Sequence, residues 1–435
     1  MIVFIPVEIA VRELSSKVYL CHHLASHGIE CYLGSKNQIH ALINKFKGFI
    51  YLDKGYHHFI SERIYSDIKK RGGLIVSLDE EGAVDYPDGS ILKSRYAKSL
   101  FDNADLVLMW GKAQFDLVAE NMTDRQKVKI TGHPRFEMLN GEFQFLYEKE
   151  AKNIKEKYND FILVNTNMSM GNNIRGTDFI KQNYGSRFAD ISKRISLDKE
   201  KLSVYVNLVK RLTDEFAANI VIRPHPEEDL NFYLNHFSHN PKVEVTYEGS
   251  VIPWILASDL LIHPDCTTGI ESLFLGKKSI SFLPEGFPMS YATKLPLIAS
   301  QAFTDMDKLL KFINIFSKNK TIARISEYQF AEEYFSFNTP STKTIAEYIS
   351  RLDQHKPLGT EAKSLSFLDK LHLKYKFYRG NFSKNLNAQK LYQKKISGLS
   401  KANVNTISSV IAQSLNLEIN LICINDNLFQ FTKLK

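Results

Sequence analysis

The sequence lacks the features of membrane-spanning and exported proteins. None of its 435 residues lies in a stretch that approaches the roughly 20 consecutive apolar residues needed to span a membrane. The apolar start, MIVFIPVEIAV, has no basic segment before it, and Glu8 and Arg12 soon interrupt it. This pattern predicts a buried first strand and not a signal peptide. We therefore expect a cytoplasmic protein.

Cysteine is also scarce. The four cysteines, Cys21, Cys31, Cys266 and Cys423, are scattered and show no metal-ligand spacing. The histidines do not pair with carboxylates or cysteines at ligand spacing either. We expect free thiols in a reducing compartment, and we predict no metal ion and no cofactor.

Positive charge is concentrated near the C-terminal end. The net charge of the chain is +8, yet residues 363–401 alone hold ten basic residues against one acid, Asp369. The basic residues are Lys363, Lys370, Lys374, Lys376, Arg379, Lys384, Lys390, Lys394, Lys395 and Lys401. Because aromatic and aliphatic residues alternate with them, the segment suits an anionic membrane surface or a lipid-linked acceptor. A solvated face of terminal helices explains the pattern equally well. A nucleic-acid partner is not predicted, because the segment contains no recognisable binding module.

Apolar runs alternate with helical patterns along most of the chain. Strands are predicted at 2–7, 30–35, 48–53, 73–79, 104–111 and 127–132, and then at 161–167, 219–224, 242–247, 259–264 and 278–284. Helices are predicted at 13–27, 203–218 and 308–326, with a charged linker or bridging helix at 148–159. This alternation predicts an α/β protein with two parallel sheets. We expect Rossmann-like domains at 1–150 and 151–350, facing a central cleft, and a basic, partly helical segment at 351–435 that packs back on the first domain.

Three carboxylates follow the strand at 73–79. They are Asp79, Glu80 and Glu81, and Gly82 after them allows a sharp turn. Ligands of open parallel sheets bind beyond the carboxyl ends of the strands. Adjacent carboxylates repel one another, which raises the pKa of at least one and suits it to act as a general base. An ordinary acidic turn is the alternative.

A His-Pro pair follows the strand at 219–224. Two prolines bracket His225 and stiffen the backbone of Arg223-Pro224-His225-Pro226. A ring N–H held at a strand end can donate to a phosphate oxygen, and Arg223 can add a second contact. A structural histidine in a loop is the alternative.

A small hydroxyl-rich turn follows the strand at 259–264. It contains a second His-Pro pair at His263, then Thr267 and Thr268, and then Glu271 and Ser272 at the start of a predicted helix. Backbone N–H groups at a helix start favour an anion, and Glu271 is placed to accept from ribose hydroxyls. Thr268 and Glu271 also have the spacing of a capping box, which competes for Glu271.

These motifs resemble known sugar-transferring enzymes. The C-terminal half resembles that of GT-B glycosyltransferases and UDP-N-acetylglucosamine 2-epimerases. The acidic motif and the His-Pro motif together resemble those of bacterial sialyltransferases and Kdo transferases, which use CMP-activated sugar acids. Over nearly the whole chain, a series of short motifs is similar to the bacterial surface carbohydrate biosynthesis protein family. The motifs are Glu8 with Arg12-Glu13-Leu14, YLDKG at 51–55, LDEEG at 78–82, TGHPRFE at 131–137, VNTN at 164–167 and QKKISGL at 393–399. In the last motif, Lys395 and Ile396 replace an aromatic–proline pair.

The resemblance implies a metal-independent glycosyltransferase of surface polysaccharide biosynthesis. It makes Glu81 the favoured base, near Asp79 and Glu80, and it assigns the CMP phosphate to His225 and Pro226, with Thr267 and Thr268 as further contacts. Glu8 and Arg12 are the expected acceptor-binding residues. The expected partners are a nucleotide-sugar donor, a lipid-linked glycan acceptor and the anionic inner-membrane surface. An epimerase of UDP-N-acetylglucosamine and a non-catalytic adaptor of polysaccharide assembly are the alternatives.

Overall fold

The computed structural model describes residues 1–185, 188, 190–216, 218–318, 327–355, 365–380 and 392–434. The chain forms two compact units. The first unit comprises Met1–Gly82, Gly89–Met138 and Gln329–Lys435, and the second comprises Ala83–Asp88 and Leu139–Tyr328. Elements are numbered in chain order through both units.

The first unit is built on one mixed sheet. Its strands are β1 (Ile2–Val7), β2 (Glu30–Ser35), β3 (Ile50–Asp53), β4 (Leu74–Leu78), β5 (Leu106–Met109), β6 (Val128–Ile130), β13 (Ile419–Asn425) and β14 (Leu428–Lys433). They lie in the order β13-β14-β2-β1-β3-β4-β5-β6. Strands β1 to β6 pair in parallel. Since helices cover both faces of a parallel sheet, these strands are nearly continuous apolar runs.

Helices surround this first sheet. They are α1 (Ala10–Ser26), α2 (Lys36–Ile43), α3 (Ile60–Lys69), α4 (Ser90–Arg95), α5 (Lys98–Asn103), α6 (Lys112–Leu117) and α7 (Pro134–Glu137), followed late in the chain by α16 (Glu327–Phe335), α17 (Ser341–His355), α18 (Phe367–Gly380) and α19 (Lys401–Leu415). The core between sheet and helices is rich in aromatic residues, including Phe4, Tyr32, Phe49, Tyr51 and Tyr65.

The second unit has a wholly parallel sheet. Its strands are β7 (Phe161–Asn165), β8 (Asn219–Arg223), β9 (Val243–Val245), β10 (Leu260–His263), β11 (Ser279–Phe282) and β12 (Gln301–Phe303). Its helices are α8 (Glu148–Tyr158), α9 (Thr177–Tyr184), α10 (Ile191–Phe216), α11 (Leu230–Phe237), α12 (Val251–Ala257), α13 (Thr268–Phe274), α14 (Lys294–Ile298) and α15 (Met306–Lys318). The strand order β12-β11-β10-β7-β8-β9 is that of a Rossmann fold. The predicted α/β fold with two sheets is therefore confirmed: the second sheet is wholly parallel, and the first is parallel from β1 to β6.

The C-terminal segment adds a hairpin that the strand patterns did not predict. The sequence indicated only that 417–424 can pack, whereas β13 and β14 pair antiparallel with each other and β14 pairs antiparallel with β2. Gly34 permits this pairing, because a Cβ there would lie 2.7 Å from the Asn427 carbonyl oxygen. His22 of α1 also holds the segment, since Nδ1 lies 2.7 Å from the Leu417 carbonyl oxygen and Nε2 lies 2.9 Å from Ser408 Oγ. The late chain is thus part of the first unit.

Parts of two sequence predictions, and the question of a membrane-spanning helix, are limited by which residues the structure describes. Of the basic residues at 363–401, Lys363, Lys384 and Lys390 lie outside the described residues, as does the end of the helix predicted at 308–326. None of the helices in the described ranges is both long enough and apolar enough to cross a bilayer.

Each sheet has a switch point where the strand order reverses. In the first sheet it lies between β1 and β3, and in the second it lies between β7 and β10. Ligands of such sheets bind beyond the carboxyl ends of the strands at this point. The residues that follow these strands, and β4 and β8 beside them, are therefore the ones to examine.

We expect the hairpin to contribute strongly to the stability of the first unit. Phe431 on β14 is fully buried, so Phe431→Ala should lower the free energy of unfolding by about 3–5 kcal/mol. Leu434, three residues further on, is exposed, and Leu434→Ala should change it by less than about 0.5 kcal/mol. Urea unfolding monitored by circular dichroism measures both. An equal free energy of unfolding for the two variants would contradict the expected contribution of the hairpin to stability.

Candidate functional site

The turn after β4 is fixed from two sides. Arg95 donates from Nε to Asp79 Oδ2 at 2.7 Å and from Nη2 to Asp79 Oδ1. Trp110 Nε1 donates to the Asp79 carbonyl oxygen at 2.7 Å, and Gln114 Nε2 donates to the Gly82 carbonyl oxygen at 3.0 Å. Gly82 leaves no room for a Cβ, which would overlap Gln114 Nε2. Asp79 therefore orients Arg95 and the turn.

Glu80 points into the interior of the first unit. Its Oε1 lies 3.1 Å from Lys17 Nζ, and its Oε2 lies 3.5 Å from His133 Nε2. Lys17 also donates to Glu13 Oε2 at 2.7 Å and to the Pro6 carbonyl oxygen at 2.8 Å. Burial lowers the pKa of His133 to about 4, so this ring is neutral near pH 7. Glu80 is thus a buried partner of Lys17.

Glu81 is the one of the three carboxylates that reaches solvent. Its side chain is 39% exposed, and it lies 3.5 Å from Arg12 Nη2 and 3.2 Å from Arg95 Nη1. Burial acts to raise the pKa of Glu81, but the charges of Arg12 and Arg95 outweigh it and lower the pKa to about 2. The pKa of Glu80 is also lowered: burial acts to raise it, and the positive groups around it, Lys17 first and Arg135 to a smaller extent, together outweigh burial. The sequence predicted a raised pKa for at least one of the three carboxylates. At Glu80 and Glu81 the pKa is lowered instead, because a cation faces each of these two carboxylates.

The residues predicted to bind the acceptor lie around this turn. Lys54, after β3, places Nζ 2.9 Å from Glu8 Oε2, and Lys395 Nζ lies 3.6 Å from Glu8 Oε1. Arg12 Nη2 is 3.4 Å from Glu13 Oε1. Burial acts to raise the pKa of Glu8, but the charge and hydrogen bond of Lys54, together with the charge of Lys395, more than offset it. Glu8, Arg12 and Glu81 thus belong to one ionic network at the carboxyl edge of the first sheet.

The His-Pro motif of the second unit is organised by Glu228, which the sequence analysis did not select. One oxygen of its buried carboxylate, Oε1, accepts from Thr166 Oγ1 at 2.9 Å and from the backbone N–H of Met168 and His225 at 3.0 and 3.1 Å. Tyr233 Oη donates to the other oxygen. His225 Nδ1 accepts from the Glu227 N–H at 3.3 Å, which leaves the proton of the neutral ring on Nε2. His225 is thus a partly exposed N–H donor whose tautomer is set by its own loop.

Two other predicted phosphate ligands have structural roles. Arg223 donates from Nη1 and Nη2 to the Glu248 and Gly249 carbonyl oxygens, at 2.6 and 3.0 Å, and stacks 4.9 Å from the Trp254 ring. His263 is fully buried; its Nε2 lies 2.8 Å from Ser300 Oγ and its Nδ1 accepts from the Cys266 N–H at 3.2 Å. The hydrogen-bonding groups of both side chains are thus engaged within the second unit. Of the two His-Pro pairs in the second unit, His225 is partly exposed and His263 is buried.

The small turn after β10 begins α13 without a capping box. Thr267 is the cap residue and makes no side-chain hydrogen bond to the helix among the described residues. Thr268 Oγ1 is buried and accepts no hydrogen bond from the helix. Ser272 Oγ donates to the Lys277 carbonyl oxygen at 3.1 Å, which gives Ser272 a structural role. Glu271 is buried near Tyr147, whose pKa is raised by burial and by the Glu271 charge. Thr267, Thr268 and Glu271 stay candidates for nucleotide binding.

Asn165 at the end of β7 is a candidate that the sequence analysis missed. Both polar atoms of its buried side chain have no hydrogen-bond partner within the described ranges. Buried amides are nearly always hydrogen-bonded, so an unpaired amide at a switch point indicates a ligand site. Nearby, Asn167 Nδ2 donates to Asp265 Oδ1 at 3.0 Å, and Lys201 Nζ lies 3.6 Å from the same oxygen. The motif VNTN and its position at a strand end were the available signal.

Comparison with known proteins identifies the fold. No family model matches the sequence, and no curated protein is similar to it. The chain is similar to the UDP-GlcNAc 2-epimerase of Methanocaldococcus jannaschii, solved in complex with UDP-GlcNAc and UDP, with a TM-score of 0.51 and 12% identity over 80% of this chain and 99% of that one. Weaker similarities include the wall teichoic acid polymerase TagF (TM-score 0.48, 14% identity, 81% and 89% covered) and S. aureus MnaA bound to UDP (TM-score 0.47, 12% identity, 83% and 98% covered). The two α/β units together with the epimerase similarity define a GT-B-type fold.

The environment of Glu228 predicts a pH-dependent stability. Burial raises the pKa of Glu228 to about 7, above the ordinary value of 4.5 that applies in the unfolded chain. The folded protein therefore binds the proton more tightly, and stability is lost as pH rises from about 4.5 through about 7, by up to about 3 kcal/mol. Glu228→Gln, which keeps Oε1 as an acceptor, should remove this slope in urea unfolding at pH 5 and pH 8.

The control for Glu228 is Glu244→Gln at an exposed position, which should keep the wild-type slope. Glu228→Ala should instead destabilise the protein at both pH values, because the Thr166, Met168 and His225 donors lose their acceptor. A Glu228→Gln variant with the full wild-type slope would show that Glu228 stays ionised throughout.

Proposed function

We propose that this protein is a glycosyltransferase of surface polysaccharide biosynthesis that uses a CMP-activated sugar acid of the Kdo or nonulosonic type. In this proposal the second unit binds the nucleotide and the first unit supplies the base and the acceptor contacts. The observation that carries it is His225, a partly exposed histidine whose backbone N–H is held by Glu228 and whose ring is set to donate from Nε2. Such a donor stabilises the negative charge that develops on a leaving phosphate.

Residues around His225 suit the rest of a nucleotide. Asn165 supplies an amide that is buried and unpaired within the described part of the chain, at the switch point where nucleotides bind in Rossmann folds. Thr267 and Thr268 supply hydroxyl groups at the neighbouring strand end, and Glu271 supplies a carboxylate for ribose hydroxyls. These residues are assigned to the donor by their chemistry and by the strand ends that carry them.

The proposed base is Glu81, because it alone among the three carboxylates of its turn reaches solvent. With a pKa of about 2 it is ionised at any pH at which the enzyme would work, so it can accept a proton from an acceptor hydroxyl. The same low pKa makes it a weak base while Arg12 and Arg95 face it. Full activity under this proposal requires that substrate binding weaken at least one of these ion pairs.

A second candidate function is epimerisation of a UDP-linked N-acetylhexosamine. The similarity in fold to an epimerase solved with UDP-GlcNAc and UDP supports this second candidate. Such an enzyme needs a uridine nucleotide and no separate acceptor. The choice between the two functions therefore depends first on which nucleotide binds.

Substitutions in the second unit should impair nucleotide binding, whereas substitutions at the base in the first unit should impair only transfer. By calorimetry, His225→Ala should weaken binding of CMP about tenfold or more, since a hydrogen bond to a charged group contributes about 1.5–3 kcal/mol. Glu81→Gln should leave CMP binding unchanged and reduce transfer about 10²–10⁴-fold. His239→Ala, at an exposed histidine of the same unit, is the matched control. Binding of UDP in place of CMP would move the assignment to the epimerase, and binding of neither would contradict both enzymes.

We further propose that the enzyme works at the anionic inner surface of the membrane, on a lipid-linked acceptor. Helix α18 buries Leu373 and exposes Leu368, Leu371 and Tyr375, which are 75%, 48% and 61% exposed. The three residues share one helical face, because their spacing is i, i+3 and i+7. Exposed Lys374 lies between Leu371 and Tyr375 in sequence. Burial raises the pKa of Cys423 on β13, and the charges of Lys374 and Lys401 act to lower it, so both cations lie near Cys423. An apolar stripe with basic flanks suits an anionic lipid surface.

This surface should bind liposomes with a steep dependence on salt. Co-sedimentation with anionic vesicles should exceed that with neutral vesicles and fall as ionic strength rises, because screening shortens the reach of surface charge. Replacing Leu368 and Leu371 with Asn and Lys374 with Gln should release the protein. Ile315→Asn, at an exposed apolar position of α15, should not. Equal binding to both vesicle types, or binding to neither at low salt, would contradict a membrane role for α18.

A further inference from the structure

Arg12 is the least satisfied cation of the ionic network in the first unit. Its Nε is buried and has no hydrogen-bond partner among the described residues. Its Nη2 lies 3.4 Å from Glu13 and 3.5 Å from Glu81, beyond the 2.7–3.2 Å typical of N–H···O bonds. A guanidinium has five N–H donors in a planar fork. Most of the hydrogen-bonding capacity of Arg12 is therefore uncommitted.

The carboxylates that Arg12 approaches have better partners elsewhere. Glu13 accepts from Lys17 Nζ at 2.7 Å and from the backbone N–H groups of Glu8 and Ile9 at 3.0 and 3.2 Å. Glu81 accepts from Arg95 at 3.2 Å. Each carboxylate therefore keeps a hydrogen-bonded partner if Arg12 moves away, although Glu81 then loses the larger of the two arginine charges that lower its pKa.

The position of Arg12 suits a ligand. Its side chain is 26% exposed, whereas Lys17, the other cation that α1 contributes to the network, is buried. It follows β1, at the switch point of the first sheet, where ligands of parallel sheets bind. Two further cations, Lys54 and Lys395, both form ion pairs with Glu8. Lys54 Nζ also lies 3.9 Å from Glu13, the carboxylate that Arg12 approaches. The network holds five cations (Arg12, Lys17, Lys54, Arg95 and Lys395) and five carboxylates (Glu8, Glu13, Asp79, Glu80 and Glu81), so it carries no excess negative charge that would repel an anion.

We propose that Arg12 binds an anionic group of the substrate, a carboxylate or a phosphate, and that this binding draws Arg12 away from Glu81. Planar, bidentate recognition of such groups is the property that distinguishes arginine from lysine. The negative charge of the bound group also acts on Glu81. Both effects raise the pKa of Glu81 from about 2 toward the range of an effective base. Arg12 is a positioning residue in this scheme, since it couples substrate binding to the strength of the base.

This inference rests on the proposed function for the role of Glu81, but anion binding itself can be measured without nucleotide or transfer. Coupling between two sites is reciprocal. If a bound anion competes with Glu81 for Arg12, then removing the Glu81 charge must strengthen anion binding. A residue that only maintains the fold would not produce this opposite effect.

The test is calorimetric titration of the full chain at low ionic strength with inorganic phosphate, with galacturonate as a sugar carboxylate, and with galactose as the neutral control. Arg12→Gln should weaken binding of the preferred anion about tenfold or more, and Glu81→Gln should tighten it several-fold. Arg63→Gln, at an exposed arginine of α3, is the control and should leave the affinity for both anions unchanged. Preference for phosphate or for galacturonate identifies the group that Arg12 recognises.

Several outcomes would overturn the inference. They are no binding of either anion to the wild-type chain at tens of millimolar, equal binding of galactose, unchanged affinity in Arg12→Gln, or weaker affinity in Glu81→Gln. If circular dichroism shows that Arg12→Gln does not fold, the anion affinity of Glu81→Gln tests the inference by itself. A normal CMP affinity of His225→Ala would contradict the proposed function and leave the Arg12 result standing, so the two failures are distinguishable.

Discussion

Buried charge at the carboxyl edge of the first sheet is tolerated because each carboxylate faces a cation. Burying an unpaired ion is costly, so Asp79 is held by Arg95, and Glu80 and Glu13 share Lys17. Removing one partner would leave a buried charge without compensation. The turn after β4, the start of α1 and the loop after β3 are therefore fixed together, and the geometry of the candidate site depends on this pairing.

The same pairing gives three adjacent carboxylates different roles. Asp79 orients Arg95, Glu80 stays inside with Lys17, and only Glu81 reaches solvent. The cations that stabilise the network also weaken Glu81 as a base, because they favour its ionised form. Stability and base strength thus oppose one another at this edge, and a substrate that engages Arg12 would relieve the opposition where the chemistry takes place.

The second unit organises its site with neutral hydrogen bonds instead. Glu228 has no cation among its hydrogen-bonding partners in the described chain, and four donors surround its carboxylate. Burial without a counter-charge raises its pKa, in contrast to Glu80 and Glu81. The result is a loop of defined shape that presents His225, while the second histidine that precedes a proline, His263, is enclosed and bonded on both ring nitrogens. The two His-Pro motifs of the second unit therefore differ in burial and in their hydrogen-bonding partners.

The sequence by itself determined the two parallel α/β sheets and the strand ends that carry polar residues, because buried strands and amphipathic helices leave periodic patterns. It did not indicate the β13–β14 hairpin, whose pairing with β2 depends on contacts between residues nearly 400 positions apart. Only the tertiary structure decided which of Asp79, Glu80 and Glu81 is exposed, which His-Pro pair is accessible, and in which direction each pKa moves. Exposure and pKa depend on the cations and donors that folding brings near each group, and these come from elements distant in the chain, as Lys17 and Arg95 do for the turn after β4.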